Sequence, residues 1–194
     1  MKNTSANTTS KNGETKKVAP KSSAAEGLRE LFIEELKDII YAERALVKSL
    51  PKMANNAEDT NLKAAIKEHV AVTEAQVDRL MKVFNILGES DRGKKCDAME
   101  GLIKEGDSIL KDTEPGPVRD AGIISASQKI EHYEIASYGT LVAFAKILGE
   151  DEAAELLEQT LAEEKDADQK LTDTAYNSIN FEAAEEEKQH RMKK

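Results

Sequence analysis

Apolar residues recur every three or four positions from about residue 28 to residue 175, which is the spacing of amphipathic helices. The first segment begins near Leu28, and Pro51 is expected to bend or end it, because proline disrupts a helix interior. The second segment follows an N-cap at Asp59 or Thr60 and stops at Gly88. The short loop between the two segments predicts a helical hairpin.

The second half of the chain repeats this arrangement. The pattern predicts a third long helix over about 118 to 148, ended by Gly149, and a fourth that opens at Glu150 and Asp151. A shorter helix over about 96 to 111 lies in the long connection between the two hairpins. Two hairpins joined by a long crossover have the connectivity of ferritin-like four-helix bundles. The pattern therefore predicts an all-α, ferritin-like bundle with an additional short helix.

The composition narrows the class of protein. The chain has 39% hydrophobic and 34% charged residues but only 4 Tyr, 4 Phe and no Trp, so aromatic platforms for single-stranded nucleic acid are not expected. No apolar stretch is long enough to cross a membrane. One cysteine, Cys96, and no apolar signal segment favour a reducing cytoplasm, and Cys96 itself is expected to be structural.

Charge and composition divide the 194 residues into three parts. Residues 1–24 are polar and carry a net charge of +4, residues 25–178 hold the helical pattern, and residues 179–194 are charged. We expect a flexible basic tail, a bundle and a frayed C-terminal tail, respectively. The net charge of −9 makes nucleic acid an unlikely partner and is compatible with cations.

Polar side chains interrupt the apolar stripe of every long helix. In the second helix, three successive inward positions are His69, Thr73 and Gln76. Counted from the turn of each hairpin, the polar positions of its two helices fall at one height. The residues concerned are Glu43 in the first helix, His69, Thr73 and Gln76 in the second, Gln128, Glu131 and Glu134 in the third, and Glu164 and Asp168 in the fourth.

Buried carboxylates without compensation cost several kcal/mol each, and no Lys or Arg is found on these stripes. A central cation is the natural compensation, and this donor set suits iron or manganese. The alternative is that each glutamate lies at the edge of its stripe and reaches solvent. His69 fits a ligand and a supporting hydrogen-bond donor equally well, whereas His132 points away from both apolar stripes of its helix.

Several strings of the sequence resemble the YciE/YciF family of bacterial ferritin-like stress proteins. They are LKDIIYAERAL, KKCDAMEGLIKEG, QKIEHYEIASYGTL and TLAEEKDADQKLTD, and they occur in order within about residues 28 to 176. The resemblance implies a ferritin-like bundle that is usually dimeric, a role in stress responses and ferroxidase-like activity.

The chain departs from the usual di-iron pattern in two ways. It contains no Glu-x-x-His, the motif that two of the four helices commonly supply. Family members often have Glu at the equivalents of Ala71 or Val72, and both are apolar here. An asymmetric or weaker site is therefore expected, with Gln76 and His69 as the contribution of the second helix.

These observations lead to one functional prediction and two alternatives. We predict a site for two iron ions, or manganese, at which Fe(II) gives electrons to oxygen or peroxide, in a cytoplasmic homodimer. Its metal ligands would be Glu43, His69, Gln76, Glu131, Glu134, Glu164 and Asp168. One alternative is a non-catalytic helical dimer whose polar layer fixes partner choice. The other is DNA protection through the basic tail, which the acidic remainder of the chain disfavours.

Overall fold

A computed structural model describes residues 18–192 and shows helices without strands over that range. The predicted tail at residues 1–24 lies mostly outside the described residues, and the exposed segment 18–27 leads into the first helix. Six α-helices follow, with a π-helix, Ala175–Ile179, between the last two. They are α1 (Leu28–Asn56), α2 (Thr60–Leu87), α3 (Asp97–Asp112), α4 (Pro117–Leu148), α5 (Asp151–Thr174) and α6 (Asn180–Met192).

The four long helices form the predicted bundle. α1 contacts α2, α4 contacts α5, and the two hairpins meet through contacts of α1 with α4 and of α2 with α5. α3 lies in the crossover and contacts α1 and α4. The all-α, ferritin-like expectation is therefore confirmed. No helix within residues 18–192 has the length and apolarity needed to cross a membrane.

Local sequence signals account for both ends of α2 and for the end of α4. The Asp59 side chain accepts hydrogen bonds from the backbone N–H groups of Asn61 and Leu62, at 2.9 and 2.7 Å, and so caps α2. Gly88 and Gly149 end α2 and α4 in the left-handed conformation, with φ of 69° and 74°. These ends agree with the sequence predictions.

Pro51 does not end α1, contrary to one of the two outcomes expected for it. The helix continues through Pro51 to Asn56. Although proline removes one helical hydrogen bond, the following turn buries Met53 and Ala54, and the adjoining Ala57 is also buried. Packing of these side chains in the bundle outweighs the local cost.

The C-terminal segment also differs from expectation. Residues expected to fray form α6, which contacts α4. The π-helix before it buries Ala175 and Ile179, and this anchors the start of α6 against the bundle. The many charged side chains of α6 therefore do not prevent it from forming a helix.

Cys96 has a structural role at the start of α3. Its sulfur accepts a hydrogen bond from the backbone N–H of Met99 at 3.3 Å and lies 3.1 Å from the Tyr133 hydroxyl. Burial raises the pKa of the Cys96 thiol. Tyr133 in turn donates to Asp38 at 2.6 Å, so this chain links α1, α3 and α4.

The apolar core surrounds a polar layer at the middle of the bundle. Phe32, Leu36 and Ile40 of α1 and Ile123 of α4 are fully buried, and Phe84 of α2 is almost as enclosed. Burial of each such side chain contributes about 1.5–3 kcal/mol. This packing fixes the helices that carry the polar layer.

Candidate metal centre

The polar layer consists of side chains that the bundle removes from water. Glu43 and Glu164 are 0% exposed, Glu134 is 1% exposed and Glu131 is 3% exposed. Gln76 is 0% exposed beside them. The helical spacing that buries the apolar stripes therefore buries these carboxyl groups too.

Four side chains converge closely enough to share one cation. They are His69 of α2, Glu131 and Glu134 of α4, and Glu164 of α5, and one potential ligand atom from each lies within 4.8 Å of the others. The His69 Nε2 atom is 3.4 Å from Glu131 Oε1 and 4.0 Å from Glu164 Oε2. Because burial lowers the pKa of His69, its imidazole is neutral and has a lone pair for a metal.

Glu43 extends this cluster on the α1 side. The Tyr138 hydroxyl donates a hydrogen bond to Glu43 Oε1, and the Glu134 side chain lies close enough to Glu43 to affect its pKa. Tyr138 is 0% exposed. Glu43 is thus fixed by neighbours on α4, while its Oε2 atom has no hydrogen-bond partner among the described residues.

A second set of contacts holds Glu164 from the α2 side. The Gln76 amide donates to Glu164 Oε1 and, at 3.1 Å, to Glu163 Oε2. Arg79 holds Glu163 through two hydrogen bonds of 2.8 Å and donates to Thr160 at 2.6 Å. This chain connects the layer to a partly exposed ion pair at the edge of the bundle.

The acidic layer favours protonated carboxyl groups. Burial first, and then the neighbouring Glu164 carboxylate, raise the pKa of Glu43 to about 8. Burial and Glu164 raise the pKa of Glu131 to about 10. Burial also raises the pKa values of Glu134 and Glu164. Without a cation, this cluster retains protons near neutral pH.

The donor set fits a metal ion. Five buried side-chain oxygens have no hydrogen-bond partner among the described residues: Glu43 Oε2, Gln76 Oε1, Glu131 Oε2, Glu134 Oε2 and Glu164 Oε2. Unsatisfied buried oxygens are costly, and native proteins have few of them. Carboxylate and amide oxygens with one neutral imidazole are the ligands that iron and manganese accept in helical bundles.

The structure separates Asp168 from the other predicted ligands. Its side chain is 23% exposed and lies 3.3 Å from Nε2 of the exposed His132. Gln128 Nε2 donates to Asp168 Oδ1 at 3.4 Å. Thr73, although buried, donates to the His69 carbonyl at 2.9 Å. The layer therefore brings together Glu43, His69, Gln76, Glu131, Glu134 and Glu164, with Asp168 one turn further along α5.

Sequence reasoning missed three residues that hold the layer in place: Tyr138, Arg79 and Glu163. Tyr138 lies four residues after Glu134, on the same face, but a tyrosine among apolar positions indicates core. Arg79 lies three residues after Gln76, off the apolar stripe of α2, and pairs with Glu163 beside the layer. The i, i+3 spacing of Gln76 and Arg79 was the available signal.

Comparison with known proteins decides the family. Residues 27–184 match the family model described as "Domain of unknown function (DUF892)". The chain belongs to this family. Among DUF892 relatives, Protein YciF of Escherichia coli is 44% identical over 159 residues, which cover 80% of this chain and 95% of YciF.

Solved structures of relatives have the same fold. The crystal structure of the E. coli stress protein YciF matches with a TM-score of 0.78 at 43% identity, over 80% of this chain and 99% of that one. YcfI from Rhodopseudomonas palustris matches with a TM-score of 0.76 at 40% identity, over 78% and 96% of the two chains. The predicted resemblance to the YciF family is therefore confirmed, and this DUF892 protein has a residue cluster able to hold a metal ion.

The structure shows the surroundings of Ala71 and Val72, the two α2 positions at which family members often have Glu. Ala71 is exposed and Val72 is half-buried. Val72 lines a cavity together with His69 and Glu131. The contribution of α2 to the layer is therefore the neutral pair His69 and Gln76.

Proposed function

We propose that this DUF892 protein binds two iron ions, or manganese, in its acidic layer and oxidises Fe(II) with oxygen or peroxide. The observation that carries the proposal is the convergence of buried carboxyl oxygens that lack hydrogen-bond partners among the described residues. Glu43, Glu131, Glu134 and Glu164 would hold the ions, with His69 as the nitrogen ligand and Gln76 at the edge.

The proposed reaction needs two electrons and two protons. Two Fe(II) substrate ions each lose one electron, and hydrogen peroxide takes both electrons with two protons to form two water molecules. The carboxyl groups with raised pKa values hold protons in the metal-free protein, and cation binding releases them. The layer therefore exchanges protons for positive charge.

The neighbouring residues position the ligands. Tyr138 occupies one oxygen of Glu43, which leaves the other oxygen for a cation. Gln76 likewise occupies one oxygen of Glu164 and leaves the other for a cation. Gln76 also donates to Glu163, which pairs with Arg79. Such fixed orientation reduces the reorganisation needed on binding. The apolar core around the layer excludes bulk water.

Anaerobic titration calorimetry with Fe(II) and Mn(II) tests the proposal. Glu43→Ala and Glu131→Ala should remove metal binding while circular dichroism shows an unchanged helical content. Glu155→Ala is the matched control, because Glu155 is exposed on α5. Unchanged binding in both layer variants would contradict the proposal.

A structural role for the layer is the second candidate, and the contacts of Gln76 and Arg79 favour it because they tie α2 to α5. The two candidates differ in their response to metal. A metal protein gains thermal stability with Fe(II) or Mn(II), whereas a purely structural layer is indifferent to metal and to chelator.

Three further features are proposed with this function. YciF is described as a stress protein, and we extend a stress role to this relative, in a cytoplasmic homodimer. Light scattering on the purified chain should give twice the mass of 21.3 kDa. Loss of the gene should lower survival under peroxide, and fractionation should find the protein in the cytoplasm.

A further inference from the structure

A cavity of about 150 Å³ adjoins the acidic layer between α2 and α5. Its walls are mainly apolar and include Leu50, Ile66, Val72, Ala167 and Leu171. Neither the apolar stripes nor the metal ligands require an empty space here. The cavity is therefore a feature of the site that cation binding leaves unexplained.

The lining of the cavity contains both candidate metal ligands and exposed charged side chains. His69 and Glu131, two members of the metal cluster, lie in its wall and connect it to the layer. Exposed side chains of Glu68, Asp166 and Lys170 also line it, and Lys170 is paired with Asp166 at 2.7 Å. The cavity therefore brings exposed charged groups, apolar walls and two candidate ligands into one lining.

The size and lining indicate the class of molecule. A volume of about 150 Å³ is large enough for a benzene-sized molecule. Hydrogen peroxide is small and strongly hydrated, so apolar walls of this extent give it no favourable contact. A compact hydrocarbon group gains about 25 cal/mol for each Å² of apolar surface that it removes from water.

We propose that this cavity binds the hydrocarbon part of an organic hydroperoxide and directs its O–O bond towards His69 and Glu131. The proposal rests on the proposed function and names the oxidant class of that site. Because the side chain of Lys170 is already paired with Asp166, the cavity selects an uncharged molecule with a compact hydrocarbon group.

The chemistry balances with Fe(II) as the reductant. The O–O bond of ROOH breaks, two Fe(II) ions each lose one electron, and two protons are taken up. The products are the alcohol ROH, one water and two Fe(III). The alcohol has lost the reactive oxygen and leaves by the same opening.

Binding of the product alcohol is measured first, on the metal-free full-length chain, so that this test does not depend on iron. Methyl NMR spectra are recorded during titration with 2-phenyl-2-propanol, the alcohol formed from cumene hydroperoxide. We expect saturable shifts of the methyl groups of Ile66, Val72 and Leu171. Absence of such shifts at millimolar alcohol would overturn the cavity proposal, even if the protein binds iron.

Ala167→Phe should fill the cavity and abolish these shifts. Ala162→Phe is the matched control, because Ala162 is exposed on the same helix and does not line the cavity. Ala65→Phe, at an exposed position of the lining, is the second variant in case the first does not fold. Undiminished alcohol binding in a folded lining variant would contradict the proposal.

Single-turnover oxidation then tests the oxidant. In the iron-loaded wild type, cumene hydroperoxide should oxidise Fe(II) at least about tenfold faster than in the lining variant, while the rate with hydrogen peroxide stays the same. The assignment of the cavity to the oxidant would be overturned if the lining variant slowed oxidation equally with both oxidants. It would also be overturned if the variant slowed oxidation with neither oxidant. If the alcohol binds but iron does not, the proposed function fails and the redox part of this inference fails with it.

Discussion

Two kinds of buried carboxyl group occur in this bundle, and they are satisfied very differently. Asp120, at the start of α4, is 2% exposed and accepts hydrogen bonds from the backbone N–H groups of Glu58 and Asp59, at 2.9 and 2.7 Å. Each of its oxygens has a partner. In the acidic layer, by contrast, Glu43, Glu131, Glu134 and Glu164 each retain an oxygen without a hydrogen-bond partner among the described residues.

The difference separates a structural carboxylate from a candidate binding group. Asp120 ties α4 to the loop between α1 and α2, so its burial is compensated within the protein. The glutamates of the layer are compensated only in part, and burial raises their pKa values. Burial alone therefore does not identify a site, whereas burial with unused oxygens does.

The largest expected effect is on metal affinity. Glu164→Ala should lower Mn(II) affinity by more than about 100-fold, because loss of a direct ligand costs more than loss of a supporting contact. Electron paramagnetic resonance of free Mn(II) measures this. Asp120→Ala is the comparison variant and should bind Mn(II) like the wild type. Equal losses of Mn(II) affinity in Glu164→Ala and Asp120→Ala would contradict the distinction between the two kinds of buried carboxyl group.

For the free energy of unfolding, Asp120 is the residue at which a loss is expected. Asp120→Ala should lower the free energy of unfolding by about 2 kcal/mol, because two backbone N–H groups lose their partner. Urea denaturation should show a lower midpoint with an unchanged slope. The exposed Glu155→Ala provides the baseline. A midpoint equal to that baseline would show that Asp120 contributes no more than a surface carboxylate.

Gln76 sharpens the comparison, because it holds a ligand without supplying a charge. Gln76→Leu should lower Mn(II) affinity by about tenfold, since Glu164 loses its amide donor. Gln159→Leu is matched to it, because Gln159 is exposed and donates to Glu163 at 3.2 Å. An affinity unchanged in Gln76→Leu would show that Glu164 needs no such support.

The last expected effect is the pH dependence of the metal-free protein. An unfolded glutamate loses its proton near pH 4.5, whereas Glu43 keeps its proton up to about pH 8. The unfolded state therefore binds fewer protons over this interval, and stability falls as pH rises through it. Between pH 5 and pH 8, Glu43→Gln should reduce this fall by about 1 kcal/mol or more. Parallel wild-type and variant curves would contradict the pKa assignment.

The bundle was predictable because helical spacing, glycine C-caps and the Asp59 N-cap all indicated the same elements. Pro51 shows where this fails: a local rule predicted a bend or an end, and burial of Met53 and Ala54 on the next turn kept the helix intact. At Pro51, tertiary packing therefore outweighs the local preference.

The candidate site was predictable only as far as helical periodicity reaches. The spacing correctly placed Glu131 and Glu164 facing the interior of the bundle. It also placed Asp168 there, although Asp168 pairs with the exposed His132. The rotation of a helix at the bundle edge depends on contacts that the sequence does not display. Tyr138 was missed for a related reason, since its hydroxyl matters only because Glu43 of α1 lies beside it.

The most direct test of the central claim is the number of irons per chain after anaerobic Fe(II) loading and desalting, followed by the optical spectrum on admission of air. If the acidic layer is a two-iron site, each chain should hold close to two irons and develop a new near-ultraviolet absorption band of oxo-bridged ferric ions. Close to zero irons, with Mn(II) equally unbound, would contradict the two-iron site and would assign the acidic layer to structure.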